Sequence, residues 1–115
     1  MSPIGVHRGE LWWVDFGIPV GHEQGGRRPA LVLSVDAFNR GLTELVIVLP
    51  LTSQARHVVS HIEILPPEGG LSQRSFVKCE DIRSISQLRL ANRIGTVSST
   101  TMNIVEDRLR MLTGL

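Results

Sequence analysis

Through about residue 97, the apolar residues come in short runs cut off by Gly, Pro or polar clusters, and only the closing stretch repeats at helical spacing. Such punctuation belongs to strands, so the body of the chain is predicted to be β. Residues 8–16 (RGELWWVDF), 29–35 (PALVLSV) and 44–52 (ELVIVLPLT) read as strands, the last two apolar enough for the sheet centre, with residues 36–43 as the turn between them. Residues 57–65 (HVVSHIEIL) read as a half-exposed strand, with Val59, His61 and Glu63 on one face and Val58, Ser60, Ile62 and Ile64 on the other; Val59 breaks the alternation. Residues 66–71 make a turn, 75–79, 82–85 and 93–97 are further short strands, and 86–91 form one helical turn. Ser98 is a good N-cap, Met102, Val105, Leu109 and Leu112 follow at helical spacing, and Gly114 is a stop signal. A single helix over a bent sheet of five to seven short strands predicts a small, partly open β-barrel, because that closure limits exposed edges.

The chain's 115 residues suit one compact domain spanning 1–115, and 42% apolar with 20% charged residues excludes intrinsic disorder. Twelve basic and eleven acidic residues leave a formal charge of +1, so any basic site must be local. The lone Cys79 cannot form an internal disulfide and fits a reducing compartment. The first ten residues lack the charge pattern of a secretory leader, and no apolar segment approaches the ~18 residues that span a bilayer. A cytoplasmic protein with no membrane partner is expected.

The most informative stretch is residues 21–29, G-H-E-Q-G-G-R-R-P, inside a glycine-rich connection (residues 17–26) much longer than a hairpin turn. It gathers unobstructed backbone N–H groups, two guanidinium groups and one carboxylate. Of the twelve basic residues only Lys78 is a lysine, so the positive charge comes almost wholly as arginine forks suited to phosphate. Two readings of the loop stand side by side: an anion site, and a solvated turn that merely carries surface charge. No Gly-Lys-Ser/Thr follows, so a nucleoside-triphosphate loop is not supported.

At this loop, and at R-G-E-L-W-W-V-D-F (residues 8–16), P-A-L-V-L-S-V-D-A-F-N (29–39) and V-L-P-L-T-S (48–53), the chain resembles the MazF/PemK family of toxin endoribonucleases from toxin–antitoxin modules. The segments V-K-C-E-D-I-R-S-I and R-I-G-T-V-S, followed by a helix, extend the likeness over nearly the whole chain. The resemblance implies an SH3-like small β-barrel with a C-terminal α-helix, a homodimer, and metal-independent, cofactor-free cleavage of single-stranded RNA at short sequence motifs, held in check by a cognate antitoxin protein.

Carried over position by position, the family's catalytic arginine falls on Arg28 and its catalytic threonine on Thr52. If the second and third strands pair antiparallel, both side chains stand at one rim beside the glycine-rich loop. Glu23 has two candidate roles, handling protons or orienting Arg28, and a structural alternative, tying down the loop. RNA contacts are expected from His22, Gln24, Gly25, Arg27, Asn39, Ser53 and Gln54. His22 stands where the family more often has a small hydroxyl residue, and it reads as a side chain that stacks on or hydrogen-bonds RNA, with general base as the alternative. Asp81 is a second departure, because the family more often reads C-D-Q-I-R where this chain has C-E-D-I-R. His57 and His61, at i and i+4 of one strand, would lie about 13 Å apart, too far to share a metal ion. Trp12 and Trp13 should face opposite ways, one into the core and the other toward a partner or an RNA base. The alternative function is a non-enzymatic, CcdB-like toxin that binds and poisons a protein target such as gyrase. Against it, the chain ends Leu112-Thr-Gly-Leu115 without an aromatic residue and keeps the R-P and P-L-T-S pair.

Overall fold

A computed structural model describes residues 5–115; part of the N-terminal reading above, residues 1–4, lies outside the described residues. Seven strands, β1 (Glu10–Asp15), β2 (Arg27–Val32), β3 (Leu45–Thr52), β4 (His61–Ile64), β5 (Ser75–Lys78), β6 (Arg83–Ser86) and β7 (Leu90–Thr96), form one sheet. A one-turn helix, α1 (Asp36–Asn39), lies within the expected turn between β2 and β3, and the C-terminal helix is α2 (Ser99–Thr113). The sheet order is β4-β5-β3-β2-β1-β7, with β6 also on β3, and every pairing is antiparallel. One edge of β3 serves two neighbours, pairing with β6 over Leu45–Val48 and with β5 at Leu51 and Thr52. That division bends the sheet into the expected mostly-β, partly open form.

The apolar runs of β1 to β3 arise because both faces of these strands are covered. Leu11, Leu31, Leu49 and Leu51 pack with Met102, Val105 and Leu109 of α2, while Trp12, Val14, Ala30, Val32, Val46 and Val48 build a second cluster with Ile85 and Leu90. Trp12 is accordingly buried and Trp13 is 41% exposed. Three expectations need correction. The strand expected over 57–65 begins only at His61, because His57 adopts φ 53° and the chain turns before pairing; Ile62 and Ile64 point inward, but Val58 and Val59 are exposed. The last strand starts at Leu90, directly after the 3₁₀ turn Gln87–Arg89, which fits the helical turn expected over 86–91. Leu112 is 42% exposed, so the apolar stripe of α2 ends at Leu109.

β4 and β7 are not hydrogen-bonded to each other, and the turn after β4 fills the gap. Its Gly69 and Gly70, at φ 66° and 79°, lie against the backbone of Ile94 and Gly95 so closely that a Cβ on Gly95 would stand 2.4 Å from the Gly69 carbonyl oxygen. Glu68 in the same turn ties it to α2. Its carboxylate accepts from the Thr101 hydroxyl (2.5 Å) and from the backbone N–H and hydroxyl of Ser98 (3.0 and 3.1 Å), while Ser98 Oγ caps the helix by accepting from the Thr101 N–H. Burial pushes the Glu68 pKa up, but these donors outweigh it and hold the carboxyl below its ordinary value. A carboxyl lowered in the folded state stabilises the fold above its unfolded pKa, about 4.3, and that contribution is lost as pH falls through the folded value. Wild-type Tm should therefore decline on acidification below about pH 4.3, and Glu68→Gln should lower Tm at pH 7 and flatten the decline. Equal acid slopes in thermal melts of the two proteins would remove Glu68 from this account.

Candidate active site

The register Ala30↔Pro50, Leu31↔Leu49, Val32↔Val48 joins β2 to β3. Run on to the strand ends, the same register sets Arg28 opposite Thr52 on the sheet face that carries Ala30 and Val32. Two hollows meet at this pair. One, of about 280 Å³, is walled by Trp13, Pro29, Leu51, Leu71 and Ile94, with Arg27, Ser53 and Gln73 as polar lining. The other, of about 590 Å³, is polar and carries His22, Glu23, Gln24, Gln54, Arg56 and Lys78. Arg28 and Thr52 line both.

Arg28 is half-buried, and its Nε–H donates to the Gly25 carbonyl at 2.7 Å. Among the described residues no carboxylate pairs with it, so the terminal N–H donors of the fork are left for a ligand. Thr52 is buried, and its Oγ1 accepts the Gln54 N–H at 3.2 Å, which leaves the hydroxyl proton to be donated. A guanidinium fork and a hydroxyl donor thus converge on one place. Such a pair suits an anionic centre with oxygens on two sides, as a phosphodiester has.

The sequence-predicted residues divide. His22, Glu23, Gln24, Arg27, Ser53 and Gln54 all line one or other hollow. Glu23 is exposed on the wall of the polar hollow, and among the described residues its side chain makes no hydrogen bond or ion pair; the Gly25 carbonyl accepts from Arg28 Nε instead. Asn39 is misplaced by the sequence reading: it is buried, its amide donates to the Val6 and Ser34 carbonyls (3.3 and 3.0 Å), and it lines neither hollow. Gly25 is also buried and lines neither hollow, with Pro19 so close that a Cβ would stand 2.5 Å from the proline ring. His57 lies outside β4, so the strand spacing assumed for His57 and His61 does not apply. The His61 side chain is instead buried, with Nε2 3.0 Å from Glu80 Oε2, and among the described residues no cluster of three or more metal-ligating side chains occurs. Burial pushes the Cys79 thiol up to about 11, which leaves it an inert core residue.

Sequence reasoning missed what holds the loop. Lys78 Nζ reaches the Gln24 side-chain oxygen (3.2 Å), Asp81 accepts the Gln24 N–H (2.7 Å), and Arg83 donates to the Gln24 carbonyl (2.7 Å). The available signal was Asp81, which stood out in the sequence only as a departure from a pattern.

Residues 7–113 match the PemK-like, MazF-like toxins of type II toxin–antitoxin systems. The chain is 33% identical over 107 residues to endoribonuclease EndoA of Bacillus subtilis, covering 92% of each chain. It is 36% identical over 106 residues to endoribonuclease PemK of Escherichia coli, covering 90% of this chain and 79% of PemK. In structure it is similar to MazF of Deinococcus radiodurans, with a TM-score of 0.83, 34% identity, and 100% and 99% of the two chains covered. The same organism's MazE–MazF complex gives a TM-score of 0.77 at 34% identity, with 96% of each chain covered. With a family match over nearly all its length, and relatives that are named endoribonucleases, the chain belongs to the PemK-like, MazF-like toxins of type II toxin–antitoxin systems.

Proposed function

We propose that the chain is a toxin domain spanning residues 1–115 that cleaves single-stranded RNA at short sequence motifs without a metal ion. The observation that carries this reading is that Arg28 and Thr52 both line the two hollows, at their junction. The 2′-hydroxyl oxygen attacks the adjacent phosphorus and the bond to O5′ breaks, giving a 2′,3′-cyclic phosphate and a 5′-hydroxyl. One proton leaves the 2′-oxygen and one reaches O5′. Because the nucleophile is part of the substrate, no metal-activated water is needed. Charge building on the non-bridging oxygens is met by the Arg28 fork and the Thr52 hydroxyl. A guanidinium holds its proton too firmly to serve as a base, so proton handling falls to Glu23, exposed in the polar hollow.

RNA runs through both hollows and past Arg28. His22, Gln24, Arg27, Ser53 and Gln54 line the path, and the exposed Trp13 face offers a surface on which an unpaired base can stack. In a reducing cytoplasm the chain works as a homodimer and is inhibited by a cognate antitoxin. The exposed apolar side chains of Ile104, Met111 and Leu112 on α2 support a covered surface there. Cleavage-end mapping on a mixed RNA pool in EDTA tests class, metal independence and motif together. Intact RNA with a poisoned protein target would instead support a CcdB-like binder. Cleavage should weaken with added salt, as phosphate contacts release counterions, but with a shallow slope for a chain of formal charge +1. Rates that do not change between low and high salt would argue against phosphate contacts at this site.

A further inference from the structure

The connection between β1 and β2 carries little regular structure, yet it supplies the carbonyl that aims Arg28. A loop of this kind holds a catalytic group steady only if something outside it fixes its backbone. Gln24, the residue before Gly25, is gripped at both ends of its backbone. Its N–H donates to Asp81 Oδ2 at 2.7 Å, and its carbonyl accepts from Arg83 Nη2 at 2.7 Å. Arg83 Nη2 also donates to the same Asp81 oxygen at 2.7 Å, so donor and acceptor are bound to each other as well as to the loop. The Arg83 guanidinium lies over the Phe16 ring, 4.6 Å from its centroid, which ties the pair to the end of the first strand. The Asp81 and Arg83 side chains are 11% and 21% exposed, and neither residue lines a hollow that contains Arg28.

We propose that Asp81 and Arg83 form a latch that positions the catalytic arginine: they fix the Gln24 backbone, Gln24 fixes the Gly25 carbonyl, and that carbonyl fixes the Arg28 guanidinium. Neither residue touches substrate. Both donors converge on one Asp81 oxygen, so an amide oxygen in the same place accepts both bonds, whereas a methyl group accepts neither. The requirement at position 81 is therefore an acceptor at aspartate length. The inference rests on the reading that Arg28 acts at the scissile phosphate, and its test includes a measurement that does not depend on activity.

The experiment pairs hydrogen exchange at the Gln24 amide with cleavage kinetics on an RNA oligonucleotide. In the wild-type protein the Gln24 amide should be protected, and exchange at the rate of a free loop overturns the latch without any variant. Asp81→Ala should raise that exchange rate by about tenfold or more and lower kcat by roughly 10- to 100-fold, with KM within about twofold, since the RNA-lining side chains are untouched. Asp81→Asn should keep the protection and bring kcat back to within about fivefold of wild type. Wild-type kcat in Asp81→Ala, or an Asp81→Asn protein as slow as Asp81→Ala, overturns the proposal. If Asp81→Ala fails to fold, Arg83→Gln, which removes the second grip while leaving Asp81 in place, should show the same loss of protection and of kcat. Should wild-type protein leave RNA intact, or Arg28→Ala cleave it as well as wild type does, the reading of the site fails, and the exchange comparison still decides the latch.

Discussion

Arg28→Ala is expected to lower kcat for RNA cleavage by about 10²- to 10³-fold while moving Tm by only a few degrees. The size follows from the proposed chemistry, in which the 2′-oxygen closes on phosphorus and the non-bridging oxygens gain negative charge; an aligned donor is worth about 2.7–4 kcal/mol at such a moment. The small stability effect follows from position, because Arg28 is half-buried at a strand end and belongs to neither apolar cluster. Arg28→Lys should recover little of the rate. An ammonium has one centre of charge, so it cannot keep the Gly25 bond and present a planar fork to phosphate together. Thr52→Val should cost less, about tenfold, since one neutral hydroxyl donor is lost, with a small fall in Tm because the Gln54 N–H loses its acceptor. Single-turnover cleavage with matched thermal melts measures both. Turnover at the wild-type rate in Arg28→Ala would remove Arg28 from the chemistry.

How far this site could be read from sequence depended on whether its contacts are local or distant. The roles of Arg28 and Thr52 came from the family resemblance; their shared place at one rim was legible because they stand at the ends of two strands whose apolar runs are unmistakable, and β2 and β3 read that way because both faces are buried. The start of β4 was not legible, since Val58 and Val59 are apolar and look like strand, and only the turn at His57 shows that they are surface. Asn39 shows the reverse error. A polar residue inside an expected turn looks like a surface contact, yet its partners are Val6, 33 residues earlier in the chain, and Ser34 inside the fold. Periodicity carries no information about such a bond. The same holds for Asp81, which meets Gln24 across 57 residues. Local strand signals placed Arg28 and Thr52 at one rim, and pairing over long sequence distances supplied what holds that rim.

Gly95→Ala is expected to lower Tm by about 5–20 °C, a large effect for one methyl group. The added Cβ would stand 2.4 Å from the Gly69 carbonyl oxygen, 2.6 Å from its carbon and 3.1 Å from the Gly70 nitrogen, all backbone atoms that no rotamer change can move. Either β7 or the 66–71 turn must shift, and overpacking of this kind costs about 1–3 kcal/mol; each kcal/mol is worth roughly 4–8 °C in a domain near this size. The turn is the side that should yield, because β7 is held along its length by β1. Gly70, Leu71 and Gln73 line the hollow that also contains Trp13, Arg28 and Thr52, and Ile94 lines it from β7. A turn pushed off β7 therefore widens this hollow, the proposed RNA path on one side of Arg28. KM for RNA should rise, and kcat should change less than in Arg28→Ala, since the Gly25 carbonyl and the Gln24 latch lie on the far side of the site. Asn92→Ala, exposed on the same strand, gives the comparison and should shift Tm by no more than about 2 °C. If Gly95→Ala melts with the Asn92→Ala protein and binds RNA as wild type does, the turn gives way at no cost, and its close approach to β7 is not what closes this side of the barrel.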